Sequence, residues 1–131
     1  MNASMAEDLY SGCKKVRLEV TDDAVYLKAK CRYGFAGAWS QNNKIDLNKY
    51  IKNDVKGEQF EADFGWGGSG FVDTCKDIKL DKFRGWHLNA QCCFVKYETG
   101  NKKCISWKDR RLSLEAVKVK YFSGDFEIDP D

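Results

Sequence analysis

The sequence predicts an all-β protein made of two copies of one strand unit, with helix confined to short turns. Three observations carry this expectation: period-two alternation, a tandem internal repeat, and six cysteines in 131 residues. Val16, Leu18 and Val20 alternate with charged residues, and Val25, Leu27 and Ala29 repeat the pattern. Successive side chains of a strand point to opposite faces, so this period marks half-buried strands.

The repeat sets the order of the elements. Cys13-Lys14-Lys15-Val16-Arg17-Leu18 returns as Cys75-Lys76-Asp77-Ile78-Lys79-Leu80, and Leu27-Lys28-Ala29-Lys30-Cys31 returns as Leu88-Asn89-Ala90-Gln91-Cys92. Each copy continues to a tryptophan, Trp39 or Trp107, then to Ile45-Asp46-Leu47 or Leu112-Ser113-Leu114, and then to Gly57 or Gly124. Self-similarity in register at this many points identifies two consecutive structural units. Thr21-Asp22-Asp23 carries turn chemistry in the first unit, and Asp81–Gly85 takes that place in the second. Asp46–Asn53 and Glu115–Lys120 are expected as short helical turns, each soon stopped by glycine. Val16, Leu18, Leu27, Ile78, Leu80 and Leu88 are expected to fill the core, with Trp39, Trp107, Phe71 and Trp66 as its aromatic part.

Composition excludes several function classes. The formal charge is +2, and 22 basic residues are interleaved with 20 acidic ones along the chain. No basic face is announced, so neither a nucleic acid nor a membrane surface is expected as partner. Apolar runs are too short to insert across a bilayer. Residues 1–8 are polar and show no signal peptide, and they read as a disordered tail.

The cysteines admit a metal site, a redox pair or disulfides. Cys-x-x-Cys is absent and His87 is the sole histidine, so disulfides are the expectation, and with them a secreted or extracytoplasmic location. Antiparallel pairing within each copy brings Cys13 to Cys31 and Cys75 to Cys92. Cys93 and Cys104 have no counterpart in the first copy. A hairpin turning around Glu98-Thr99-Gly100-Asn101 would bring them together as an extra staple. Catalysis is not expected. His87, the available base, reads as part of a solvated strand face, and no local motif singles out a carboxylate pair.

The tandem repeat with paired cysteines, Ile45-Asp46-Leu47-Asn48-x-x-Ile51-x-Asn53 and Trp66-Gly67-Gly68-x-x-Phe71-x-x-Thr74-Cys75 resemble the cyanovirin-N homology family, and the Trp-Gly-Gly variant is similar to its fungal members. The resemblance covers residues 9–128, read as one domain with repeats at about 10–61 and 71–128. It implies a pseudo-symmetric fold in which the repeats exchange strands, and a monomer, with a strand-swapped dimer as the alternative. It further implies a lectin for mannose-type oligosaccharides, such as terminal α1,2-linked mannose, on glycans or glycoproteins, with no metal or cofactor.

Carried over residue by residue, the resemblance implies a first pocket from Asn53, Asp54, Val55, Lys56, Ser69, Gly70, Asp73, Thr74, Cys93 and Phe94, with Lys52 standing where an acidic residue is usual. A second, more altered pocket draws on Tyr10, Ser11, Gly12, Arg32, Gly34, Lys120, Tyr121 and Ser123. Short polar side chains suit neutral sugars, whose hydroxyls need fixed donors and acceptors. The departures at Lys52, Cys93, Phe94 and Tyr121 keep a second class of function open: a secreted protein-interaction module or effector on the same scaffold.

Overall fold

Each cysteine-bearing unit folds as an antiparallel sheet, and a β-hairpin follows each sheet in the chain. The computed structural model describes residues 7–34, 37–40, 42–55, 62–98 and 101–129. In the first copy, β1 (Glu7–Asp8) and a single helical turn α1 (Leu9–Gly12) precede β2 (Cys13–Val20), β3 (Val25–Tyr33), β4 (Ala38–Trp39) and β5 (Asn43–Asp46). A 3-10 turn at Leu47–Lys49 leads into the hairpin of β6 (Ile51–Val55) and β7 (Ala62–Trp66). The second copy repeats this plan. A 3-10 turn at Phe71–Asp73 precedes β8 (Cys75–Asp81), β9 (His87–Glu98) and β10 (Asn101–Ser113), and another at Leu114–Ala116 leads into β11 (Val117–Val119) and β12 (Phe126–Ile128).

The two sheets agree in register down to their irregularities. Cys13 lies directly opposite Cys31 and Cys75 opposite Cys92, and both pairs are bonded. Two residues past each opening cysteine the register shifts, and Lys15 (φ 55°) and Asp77 (φ 52°) adopt the left-handed backbone there. A bulge of this kind sharpens strand twist, and its recurrence makes it a property of the unit. The turn between β2 and β3 closes when Thr21 N–H donates to the Ala24 carbonyl at 2.9 Å and Thr21 Oγ1 accepts from Ala24 N–H at 3.1 Å. Cys93, beside Cys92, bonds to Cys104 across the β9–β10 pair, which carries its own shift between Cys104 and Ser106. Thr99 and Gly100 of the expected turn lie outside the described residues, as do residues 1–6 and 57–61.

The hairpins cross over between copies. β6 of the first copy packs against β9 of the second, while β11 and β12 of the second pack against β3 and β5 of the first. Ile51 and Val117, leading these hairpins, are fully buried with Leu27, Leu47, Phe71, Leu88 and Leu114 in one core drawn from both copies. This is the all-β, pseudo-symmetric, strand-exchanged fold expected above. Leu27, Leu88 and Phe71 are buried outright, and Val16, Leu18, Ile78, Leu80 and Trp66 pack partly buried against the core.

Two expectations need correction, and the first is the tail: Glu7 and Asp8, read as part of it, form β1 against β11. The expected helical turns are present as single 3-10 turns, Leu47–Lys49 and Leu114–Ala116, shorter than the stretches that suggested them. Asp46 Oδ1 accepts from Asn48 N–H, and Ser113 Oγ accepts from Glu115 N–H. Each cap starts one turn, and the apolar Ile51 or Val117 then draws the chain into the core as strand. Trp39 and Trp107 are not core: they are 40% and 45% exposed. Each carries an ammonium over its ring, Lys14 Nζ at 4.0 Å from the Trp39 centroid and Lys76 Nζ at 4.1 Å from that of Trp107. The repeat preserved an exposed cation–aromatic pair, not a core tryptophan.

Phe71, fully buried and edge-on to Phe64 at 6.1 Å, is expected to cost about 3–5 kcal/mol when changed to alanine, measured by denaturant unfolding. Replacing Cys93 and Cys104 together by alanine is expected to cost up to about 3 kcal/mol in the same measurement, since the closed loop is short.

Candidate functional site

The end of the molecule beneath the β6–β7 hairpin holds a polar loop built between Trp66 and Cys75. Gly67 (φ 98°) and Gly70 (φ 88°) take left-handed backbone that lets the loop double back. Gly68 lies so close to Lys52 that a Cβ there would stand 2.5 Å from the lysine Cβ. Gly67 N–H donates to the Tyr50 carbonyl at 3.1 Å, and Gly70 N–H to the Asn48 carbonyl at 2.8 Å. Asn48 Oδ1 accepts from Val72 N–H at 2.9 Å. Asn48 thus anchors the loop from both its backbone and its side chain, a positioning role that the sequence reading missed. Its signal was present: an asparagine in the stretch following β5, facing a glycine-rich segment that needs outside partners.

Three expected site residues meet directly. Asn53 Nδ2 donates to Thr74 Oγ1 at 2.8 Å and to the Cys93 carbonyl at 3.1 Å, while Cys93 N–H donates to the Thr74 carbonyl at 2.7 Å. This clamp ties β6, the loop and β9 together. Asn53 is only 7% exposed, and its Oδ1 is buried with no hydrogen-bond partner. Cys93 is disulfide-bonded and 1% exposed, and Phe94 is buried beside it. These residues therefore form the back of the site. Its surface comes from Ser69 and Asp73, both exposed, with Gly70 and Thr74 half-buried. Lys52 is half-buried, its stem pressed against Gly68. Asp54 and Val55 continue β6, opposite Asp63 and Ala62, and Lys56 lies outside the described residues.

The opposite end uses the same plan with different chemistry. α1, holding Tyr10, Ser11 and Gly12, stands where the Phe71–Asp73 turn stands, each immediately ahead of an opening cysteine. Asn53 faces Phe64 across its hairpin, and the matching position, facing Phe126, is Val119. Val119 is buried against Ala29 and Cys31, and its side chain cannot make the hydrogen bonds that Asn53 makes at the other end. Gly34 N–H donates to the Tyr121 carbonyl at 2.6 Å, which brings Gly34 and the Lys120–Ser123 turn together. Ser123 Oγ accepts from Asp125 N–H, and Asn43 Nδ2 donates to the Gly124 carbonyl. Arg32 lies over Trp39, its guanidinium carbon 5.1 Å from the ring centroid. The Tyr121 ring is edge-on to Phe122, itself 82% exposed. His87, half-buried, has Nδ1 3.1 Å from the Gly85 carbonyl and 3.3 Å from Arg111 Nη2.

Comparison with known proteins bears on this geometry. A family model described as the CVNH domain matches residues 9–117. No curated protein shows significant sequence similarity to the chain. Among solved structures, NcCVNH of N. crassa is similar at 25% identity and a TM-score of 0.63, over 92% of this chain and 96% of that one. A designed cyanovirin-N homolog lectin, LKAMG, shares the fold at 21% identity with a TM-score of 0.63, over 90% of this chain and 95% of that one. With a family match across most of the sequence and a fungal structure superposing on nearly all of the fold, the chain belongs to the CVNH family, a family of carbohydrate-binding lectins.

Proposed function

We propose that the protein binds mannose-type oligosaccharides, terminal α1,2-linked mannose among them, on glycans or glycoproteins, through the polar loop at Ser69–Thr74. The observation that supports this reading is the Asn53–Thr74–Cys93 clamp. It spends buried polar groups on holding a loop whose outer groups, Ser69 and Asp73, are exposed. A fixed hydroxyl and carboxylate suit adjacent sugar hydroxyls, because pre-set donors and acceptors avoid the ordering cost that flexible side chains incur. Each neutral bond nets on the order of 1 kcal/mol, so a single site is of modest affinity, without catalysis or cofactor.

The chain acts as a monomer in which residues 9–128 form one domain. Its three disulfides are consistent with an extracellular protein. The end formed by Arg32, Gly34, Tyr121 and Ser123 favours a different use. Phe122 projects there almost bare, and Val119 takes the place of Asn53, which fits contact with a protein surface better than with a polar sugar.

A titration of ¹⁵N-labelled protein with α1,2-mannobiose tests the reading. Shifts are expected at Ser69–Thr74 and Asn53, and Asp73→Ala is expected to weaken binding about tenfold or more, as loss of a charge-assisted hydrogen bond implies. Thr74→Val, which removes the acceptor of Asn53, is expected to lower stability by about 1 kcal/mol and weaken binding as well. Silence with mannobiose and across a glycan array would reject the sugar reading in favour of the protein-contact one.

A further inference from the structure

Charge that alternates along the chain is sorted by the first sheet onto one face. On β3 the inward residues Val25, Leu27, Ala29 and Cys31 are buried, so Lys28, Lys30 and Arg32 all point outward. Register then sets Lys14 beside Lys30, Arg17 beside Lys28, and Lys44 on the other side of Lys28. The carboxylates near this face are already engaged. Glu19 is ion-paired with Lys28, and Asp46 Oδ1 accepts from the Val25 and Asn48 amides. The Glu19 carboxyl is held below its ordinary range, chiefly by its hydrogen bond and charge interaction with Lys28, with Lys44 and Arg17 adding to the effect. Among the described residues Lys15 and Lys30 have no carboxylate partner, and they line an open groove of about 460 Å³ with Val16, Arg17 and Asn42.

The second sheet serves as an internal control. At the positions matching Lys15 and Lys30 it carries Asp77 and Gln91. Gln91 Nε2 donates to Asp109, and Asp81 is ion-paired with Arg111 at 3.4 Å. Two sheets with one backbone plan thus differ in surface field, and neither fold nor solubility requires that difference.

We propose that the outer face of the first sheet, centred on the Lys15–Arg17–Lys30 groove, binds anionic oligosaccharide bearing sulfate or phosphate groups, separately from the Ser69–Thr74 loop. The groove's size suits a short saccharide, and its lysines and arginine present ammonium and guanidinium donors to oxyanions. Nucleic acid fits less well, since the aromatic rings at this face, Trp39 and Tyr26, each carry a lysine ammonium, Lys14 and Lys44, where a base would stack. A membrane fits less well too, because the groove lining supplies a single aliphatic side chain, Val16, and no apolar wedge.

The test measures binding of a sulfated heparin-derived hexasaccharide to the full chain by calorimetry at several salt concentrations. Expected are affinity that falls steeply with salt, at least tenfold weaker binding by Arg17→Glu/Lys30→Glu, and a change below about twofold for Lys79→Glu, the matching position of the second sheet. Lys30→Gln, which installs the residue found at the matching position, guards against misfolding and is expected to weaken binding severalfold. Equal binding by wild type and Lys30→Gln would overturn the proposal. So would equal binding of the desulfated hexasaccharide, or tighter binding of a duplex DNA 12-mer or phosphatidylserine vesicles.

Discussion

The structure depends on the burial of each copy's trailing hairpin against the other copy's sheet. Ile51 and Val117 are buried in one core with residues of both sheets, and among the described residues β6 packs on β9 while β11 and β12 pack on β3 and β5. A sheet with one apolar face needs a partner layer, and here each partner comes from the other half of the chain. The exchange also sets where sites can form. Each end of the molecule lies where a hairpin, the turn ahead of an opening cysteine, and the strand after a closing cysteine converge, so every end is built from both copies.

Much of this architecture was legible in the sequence because it rests on period and repetition. Alternation located the strands, and the two cysteine motifs aligned the copies, so the pairings Cys13–Cys31 and Cys75–Cys92 followed from antiparallel geometry alone. Reading failed where one residue has two physical uses. Tryptophan is bulky enough for a core, yet Trp39 and Trp107 face outward beneath lysines, a pairing visible only once the register places Lys14 and Lys76 near them. Charge misled similarly: basic and acidic residues mix along the chain, but on β3 the lysines alternate with apolar residues, not with acids.

The candidate site was legible in membership and less so in role. Asn53, Thr74 and Cys93 do converge, but as a buried clamp behind the loop, because the exchanged hairpin carries Asn53 inward onto Thr74 and the Cys93 carbonyl. Asn48 was overlooked since its work is to hold backbone, which composition does not announce. Pseudo-symmetry leaves room for the two ends to differ in chemistry. A duplicated frame keeps its core positions under shared constraint and leaves the ends and outer faces to diverge, as Asn53 against Val119 and Lys30 against Gln91 illustrate.

The adjacent pair Cys92 and Cys93 has a consequence for mechanical behaviour. Bonds from neighbouring residues run to β8 and β10, so the three strands of the second sheet form one covalent ladder, while the first sheet has a single rung. A chain pulled from its ends would keep residues 76–91 and 94–103 of the second copy out of the stretched path, against 14–30 alone in the first. Since β6 packs on β9 of that ladder, the surface on which the first copy's hairpin docks stays cross-linked as the chain extends.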